Sequence, residues 1–212
     1  LTNEVNRRRF GEKTVFQPHL RLTRFTPRVC SKLKKGMEFM MKKGTKHITR
    51  GGIIAAAYAV LTLVLYPIAF GPVQCRLSEA LTVLPVFTFS SVWGLTLGCA
   101  ISNGVAIFAG NTVAGVWDIL FGSLATGIAA VCTYYTRKIR FKGLPLLSLV
   151  FPVLLNALVL GVEFTVAEKG FLDWPLFGFN ALTVAAGQAV ACFGGGLLLY
   201  KAVEKTKLSS LL

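Results

Sequence analysis

Several polar side chains in this sequence stand inside apolar stretches, where they could recognise a small molecule. Asn156 and Glu163 are seven residues apart, two turns of a helix, so both lie on one face. A carboxylate is costly facing lipid, so that face is expected to look into a helix bundle. An amide and a carboxylate together offer acceptors and donors. That set can read the edge of a heterocycle such as guanine, whose adjacent ring N–H and amino group suit a carboxylate. Arg76 and Glu79 stand three apart in GPVQCRLSEALTVLP, residues 71–85. Pro72 and Pro85 fix the path of that stretch, which favours a polar pocket over an interfacial ion pair. Asn103 and Gln188 are further mid-span amides, able to line the pocket or to act as interhelical hydrogen-bond glue.

The remaining acids sharpen the point. Between the basic N-terminal region and the C-terminal tail the acids are Glu79, Asp118, Glu163, Glu168 and Asp173. The topology argued below puts all five on the external half, with Arg76 and Lys169 as the only bases there. Two bases against five acids leave −3, an acidic external cavity that attracts a cation. Catalysis finds little support. The histidines, His19 and His47, precede the first apolar run, and no H-E-x-x-H, G-x-S-x-G or phosphate-cradling loop is visible. The five cysteines are scattered, without C-x-x-C, and read as free thiols. No metal or cofactor is expected.

Long apolar elements must position these groups. The chain has 212 residues, 54% hydrophobic and 15% charged, against about 25% charged in soluble domains. Uncharged runs of 25, 38, 18, 20 and 27 residues follow Arg50, Glu79, Asp118, Lys142 and Asp173. A spanning helix needs roughly 20 apolar residues, so this is an all-α membrane protein. Six transmembrane helices are expected, near residues 53–70, 78–89, 92–108, 116–135, 145–166 and 177–200. The second is short, and Trp93-Gly94 reads as an interface anchor and turn. Trp117 and Trp174 read as anchors too. Basic clusters at Lys42–Arg50, Arg137–Lys142 and Lys201–Lys207 all belong inside. An even number of crossings therefore separates the first two clusters, and both termini are cytoplasmic. Of 23 Lys and Arg, 14 lie in residues 1–50. That is anchoring charge beside a lipid bilayer rather than a nucleic-acid stripe.

Residues 1–40 read as a basic N-terminal extension, disordered or not natively translated, ahead of a working domain at 41–212. Met40 and Met41 directly precede the first span, and Lys34-Lys35-Gly36 requires purine-rich codons, as a bacterial ribosome-binding site would. Translation is expected to start at one of those methionines; an intact mass that includes Leu1 would exclude this. Ala55 and Ala59, four apart, form a small-residue face that allows close helix approach. Gly194-Gly195-Gly196 reads as close approach or a flexible break. The Pro-bounded connection at 71–78, with Cys75, is expected to close over a solute from outside.

Four ordered segments, GPVQCRLSEALTVLP, GLTLGCAISN at 94–103, DILFGSLAT at 118–126 and NALVLGVE at 156–163, resemble the queuosine-precursor transporter family, QueT. The resemblance runs from about Lys42 to the C-terminus. It implies a six-helix S component of an energy-coupling factor importer in a bacterial plasma membrane. The implied substrate is a 7-deazaguanine such as 7-aminomethyl-7-deazaguanine, whose cation suits the acidic half. The implied partners are a transmembrane coupling protein and two ATPase subunits. An A-x-x-x-A motif docks such components, and Ala55 to Ala59 matches it. Arg76, Glu79, Asn103, Asp118, Asn156, Glu163 and Gln188 are the expected substrate-binding residues. Gly194–Gly196 departs from an ordinary final helix. A six-span assembly protein without a solute site and a stand-alone ion-coupled carrier are the competing readings, though carriers often carry internal repeats and none is visible.

Overall fold

A computed structural model describes residues 27–69, 75–110 and 114–206, with side chains from residue 44 onward. The chain divides into two compact units, Leu1–Met41 and Lys42–Leu212. Of the first, only helical backbone at 27–41 is described, so most of the expected extension lies outside the described residues. The second unit is a helical bundle. Its helices are α1 (Pro27–Val64, here from residue 42), α2 (Tyr66–Ala69), a 3-10 helix at Leu77–Val86, α3 (Ser90–Phe108), α4 (Val116–Thr136), α5 (Leu146–Lys169), α6 (Trp174–Ala189), a π-helical stretch at Val190–Gly196, and α7 (Leu197–Lys205).

Among the described residues, five helices are long and apolar enough to cross a bilayer: Gly44–Val64, Ser90–Phe108, Val116–Thr136, Leu146–Lys169 and Trp174–Lys205. Their outer faces carry exposed Leu97, Ile101, Leu124, Leu158 and Leu182, as lipid-facing helices do. The ends are set by local chemistry. Gly110 and Gly170, with φ of 73° and 78°, stop α3 and α5 in the left-handed region that favours glycine. Asp173 caps α6 by accepting from the Leu176 N–H at 3.0 Å, satisfying one of the orphan donors of a first turn.

The expected second span is the 10-residue 3-10 helix. At about 2.0 Å per residue it covers roughly 20 Å, short of a hydrocarbon core of about 30 Å. Pro85 lies within it. The first span ends at Val64 rather than at residue 70, with a turn at Leu65 before α2. The expected turn at Trp93-Gly94 is corrected: both residues lie inside α3, and the Trp93 ring covers Gly51 of α1. Glycine made the turn plausible, but here it serves close packing. A Cβ on Gly94 would stand 2.6 Å from the Gly51 carbonyl oxygen, and one on Gly98 would stand 2.8 Å from that of Ala55.

These contacts fix direction and bring part of the small-residue face of α1 against α3. Gly51 meets Gly94 and Ala55 meets Gly98, so α1 and α3 run parallel. The chain must therefore return between the end of α1 and the start of α3. Ala55 and Ala59 are buried, and Ala55 packs against Gly98 of α3. Small residues permit close approach inside a bundle as readily as outside it. Ala55→Leu with Ala59→Leu is therefore expected to lower thermal stability in detergent, because overpacking costs typically 1–3 kcal/mol per site. Wild-type stability of the pair would show that the α1–α3 seam is loose.

Later helices alternate in direction. The Thr126 hydroxyl reaches Cys99 Sγ at 3.6 Å, and Thr133 Oγ1 donates to the Ser148 carbonyl at 2.8 Å. Asn180 Nδ2 donates to Thr165 Oγ1 at 3.2 Å, joining α6 to α5. At the far end Arg140 bonds the Tyr200 hydroxyl and pairs with Glu204 at 3.4 Å. The triple glycine lies in the π stretch, where a Cβ on Gly195 would stand 2.8 Å from the Ala80 Cβ. It provides the close approach of the last span to the 3-10 helix.

Candidate functional site

The chain enters the 3-10 helix from extended backbone at Arg76, φ −82° and ψ 96°, and this places Arg76 and Glu79 inside the bundle. Both are essentially inaccessible. Tyr58 of α1 donates to Glu79 Oε1 at 2.5 Å, and Thr126 of α4 donates to the same oxygen at 3.3 Å. One turn along α1, Thr62 donates to Ser78 Oγ at 2.7 Å. Thr82 Oγ1 caps the Glu79 carbonyl at 2.6 Å. Glu79 is thus held by α1, α4 and its own helix.

The Arg76 guanidinium interacts with Glu79, Asp118 and Glu163, and its Nη1 faces Cys99 Sγ at 3.9 Å. Room for it comes from Gly122, where a Cβ would stand 3.8 Å from Arg76 Nη1 and 2.8 Å from Asn103 Nδ2. Asn103 spends that amide on the Asp118 carbonyl at 2.7 Å, tying α3 to the first turn of α4. Asp118 Oδ2 accepts from the Ala114 N–H at 3.4 Å. Asn156 lies beside Glu79, and Glu163 beside Asp118, in neither case within hydrogen-bond geometry.

One guanidinium therefore faces three buried carboxylates. In a water-poor interior an unpaired charge is expensive, so protons or a bound cation must balance the surplus. Several buried atoms lack a hydrogen bond: Glu79 Oε2, Asn103 Oδ1, Asp118 Oδ1, both polar atoms of Asn156 and both carboxylate oxygens of Glu163. Buried polar groups ordinarily find partners, so this concentration marks a place able to bind a donor-rich ligand.

Six of the seven sequence-predicted residues fall together: Arg76, Glu79, Asn103, Asp118, Asn156 and Glu163. Gln188 is buried to one side. Its Oε1 accepts from Cys192 Sγ at 3.9 Å, and that thiol also faces the Glu79 carbonyl at 3.7 Å. Of the connection expected to close over a solute, 71–74 lie outside the described residues. Cys75 is half-buried, its thiol 3.4 Å from the Gly187 carbonyl, and burial pushes that thiol above its ordinary range. Sequence reasoning missed Tyr58, Thr126 and Gly122. Tyr58 and Thr62 are four apart on one face of α1, a signal that was available.

Space for a ligand lies at one edge of this network. A cavity of about 440 Å³ opens between α4 and α5, walled by Trp117, Phe121, Val162, Val166 and the Glu163 side chain. Glu163 alone among the predicted residues borders it. A second groove of about 530 Å³, between α3 and α4, has Thr96 and Ser123 as its polar side chains beside Trp93 and borders none of the carboxylates. Among the described residues no cluster of His, Cys, Asp and Glu could hold a metal.

Comparison with known proteins adds identity to this geometry. The family model described as QueT transporter matches residues 48–205. The Queuosine precursor transporter QueT of Lactococcus lactis subsp. cremoris (strain MG1363) is 26% identical over 175 residues, covering 80% of this chain and 99% of that protein. No solved structure matches the chain significantly.

Proposed function

The chain belongs to the QueT transporter family, and on that premise we propose that it captures a queuosine precursor for an energy-coupling factor importer. In this reading it is the S component of such a system. A transmembrane coupling protein and two ATPase subunits drive uptake across a bacterial plasma membrane, and the chain itself catalyses no reaction. The parallel course of α1 and α3 supports six crossings, with the 3-10 helix as a short one. Basic clusters at both ends of the domain support cytoplasmic termini.

One observation carries the substrate class. Glu163 is 7% exposed, with both carboxylate oxygens unbonded, at the wall of an aromatic cavity. A carboxylate in that state accepts two parallel N–H donors, as the ring N–H and amino group of a guanine provide. The surplus of buried carboxylate suits a ligand that also carries a cation. 7-Aminomethyl-7-deazaguanine has both features.

The test is calorimetric titration of purified protein with 7-aminomethyl-7-deazaguanine and with 7-deazaadenine. Saturable one-to-one binding of the first and much weaker binding of the second is expected. Absence of binding by any 7-deazaguanine would overturn the assignment. Uptake by cells that persists without the ATPases would point to an ion-coupled carrier instead.

A further inference from the structure

The polar network around Arg76 is filled by its own side chains, while the open volume lies beside it, between α4 and α5. Trp117 and Phe121 are four apart on α4 and stack on each other, centroids 5.9 Å apart and planes at 29°. Trp117 is 59% exposed and Phe121 41%. Glu163 borders the gap, more than nine-tenths buried, its two oxygens shielded in this conformation and without hydrogen bonds. An aromatic wall beside a carboxylate that makes no hydrogen bond, with Asp118 and the Arg76 guanidinium next to it on the network side, meets the two needs of a flat, donor-edged ring: a π surface and a pair of acceptors. Its volume of about 440 Å³ falls in the range of small-molecule pockets, roughly 300–1,000 Å³.

We propose that Trp117 is the stacking surface for the substrate ring, seated in the α4–α5 cavity with its donor edge on Glu163. Phe121 backs the indole and sets its tilt. The site is then lateral, in the outer half of the α4–α5 seam, rather than on the bundle axis. Trp117 determines that the ligand is planar, while Glu163 determines which edge it presents. This rests on the proposed function, since it assumes a 7-deazaguanine as the ligand. Interfacial tryptophans ordinarily serve as membrane anchors, and an anchor does not respond to a ligand.

Trp93, Trp117 and Trp174 are the only tryptophans, so Trp93→Phe with Trp174→Phe leaves Trp117 as the sole indole reporter. Titration of that protein with 7-aminomethyl-7-deazaguanine should quench its emission, saturating at the Kd measured by calorimetry. The Trp117→Phe, Trp174→Phe protein, reporting from Trp93, should show no such change. Trp117→Phe should keep affinity within a few-fold, and Trp117→Ala should lose about tenfold or more, the usual weight of base stacking on an aromatic ring. Unchanged Trp117 emission while calorimetry records binding would overturn the proposal, even if Trp117→Ala fails to fold. Wild-type affinity in Trp117→Ala, with Glu163→Gln impaired, would also overturn it but leave the proposed function standing. No binding by the wild type would remove both.

Discussion

Glu163→Gln is expected to weaken binding of 7-aminomethyl-7-deazaguanine by about tenfold to a hundredfold. The substitution keeps size and burial but replaces one of two acceptors with a donor. A guanine edge presents two donors side by side, so one of them would then face an N–H. Hydrogen bonds to a charged group are worth about 1.5–3 kcal/mol, which sets the expected range. The loss should be smaller for a 7-deazahypoxanthine, which lacks the amino group and has less to lose. That double comparison separates a lost contact from general damage to the fold. Calorimetry on the purified variant reads both affinities. Equal affinity of wild type and variant for the full substrate would remove Glu163 from the site.

Much of this arrangement was legible in the sequence because charge inside an apolar run is rare and costly. Glu163, Asn156, Asp118, Glu79 and Arg76 could be singled out individually, and five of the six spans lie close to observed helices. Faces were harder to assign. In a soluble protein, polarity separates the outward side of a helix from the inward side. In lipid both sides are apolar, so Ala55 and Ala59 looked as suited to a partner as to α3. Trp93 and Gly94 failed for a related reason. Tryptophan and glycine mark interfaces and turns, yet here one covers Gly51 and the other admits its backbone. The 3-10 helix and the π stretch were invisible because helix type within an apolar segment depends on what packs beside it. The cavity was also out of reach. It needs Trp117 and Phe121 of α4 opposite Glu163 of α5, a pairing that only the packed bundle reveals.

Arg76→Met should be the most destabilising single change within the network. The methionine fills much of the volume but leaves Glu79, Asp118 and Glu163 with no compensating charge among them. Stranding buried charges by removing the group that compensates them costs up to about 3–5 kcal/mol, the figure for a buried pair broken from one side, a large share of the stability of any domain. The loss should appear as a lower unfolding temperature and reduced monodisperse yield in detergent. Glu79→Gln added to Arg76→Met should recover part of it, since an amide keeps the Tyr58 and Thr126 contacts while removing one stranded charge. Glu168→Gln, at an exposed position in the last turn of α5, should recover nothing. Recovery specific to Glu79 would mean that Arg76 holds the carboxylates together electrostatically. Equal stability of Arg76→Met and wild type would mean that the carboxylates are already neutral, and the cation-attracting character assigned to the site would have to be withdrawn.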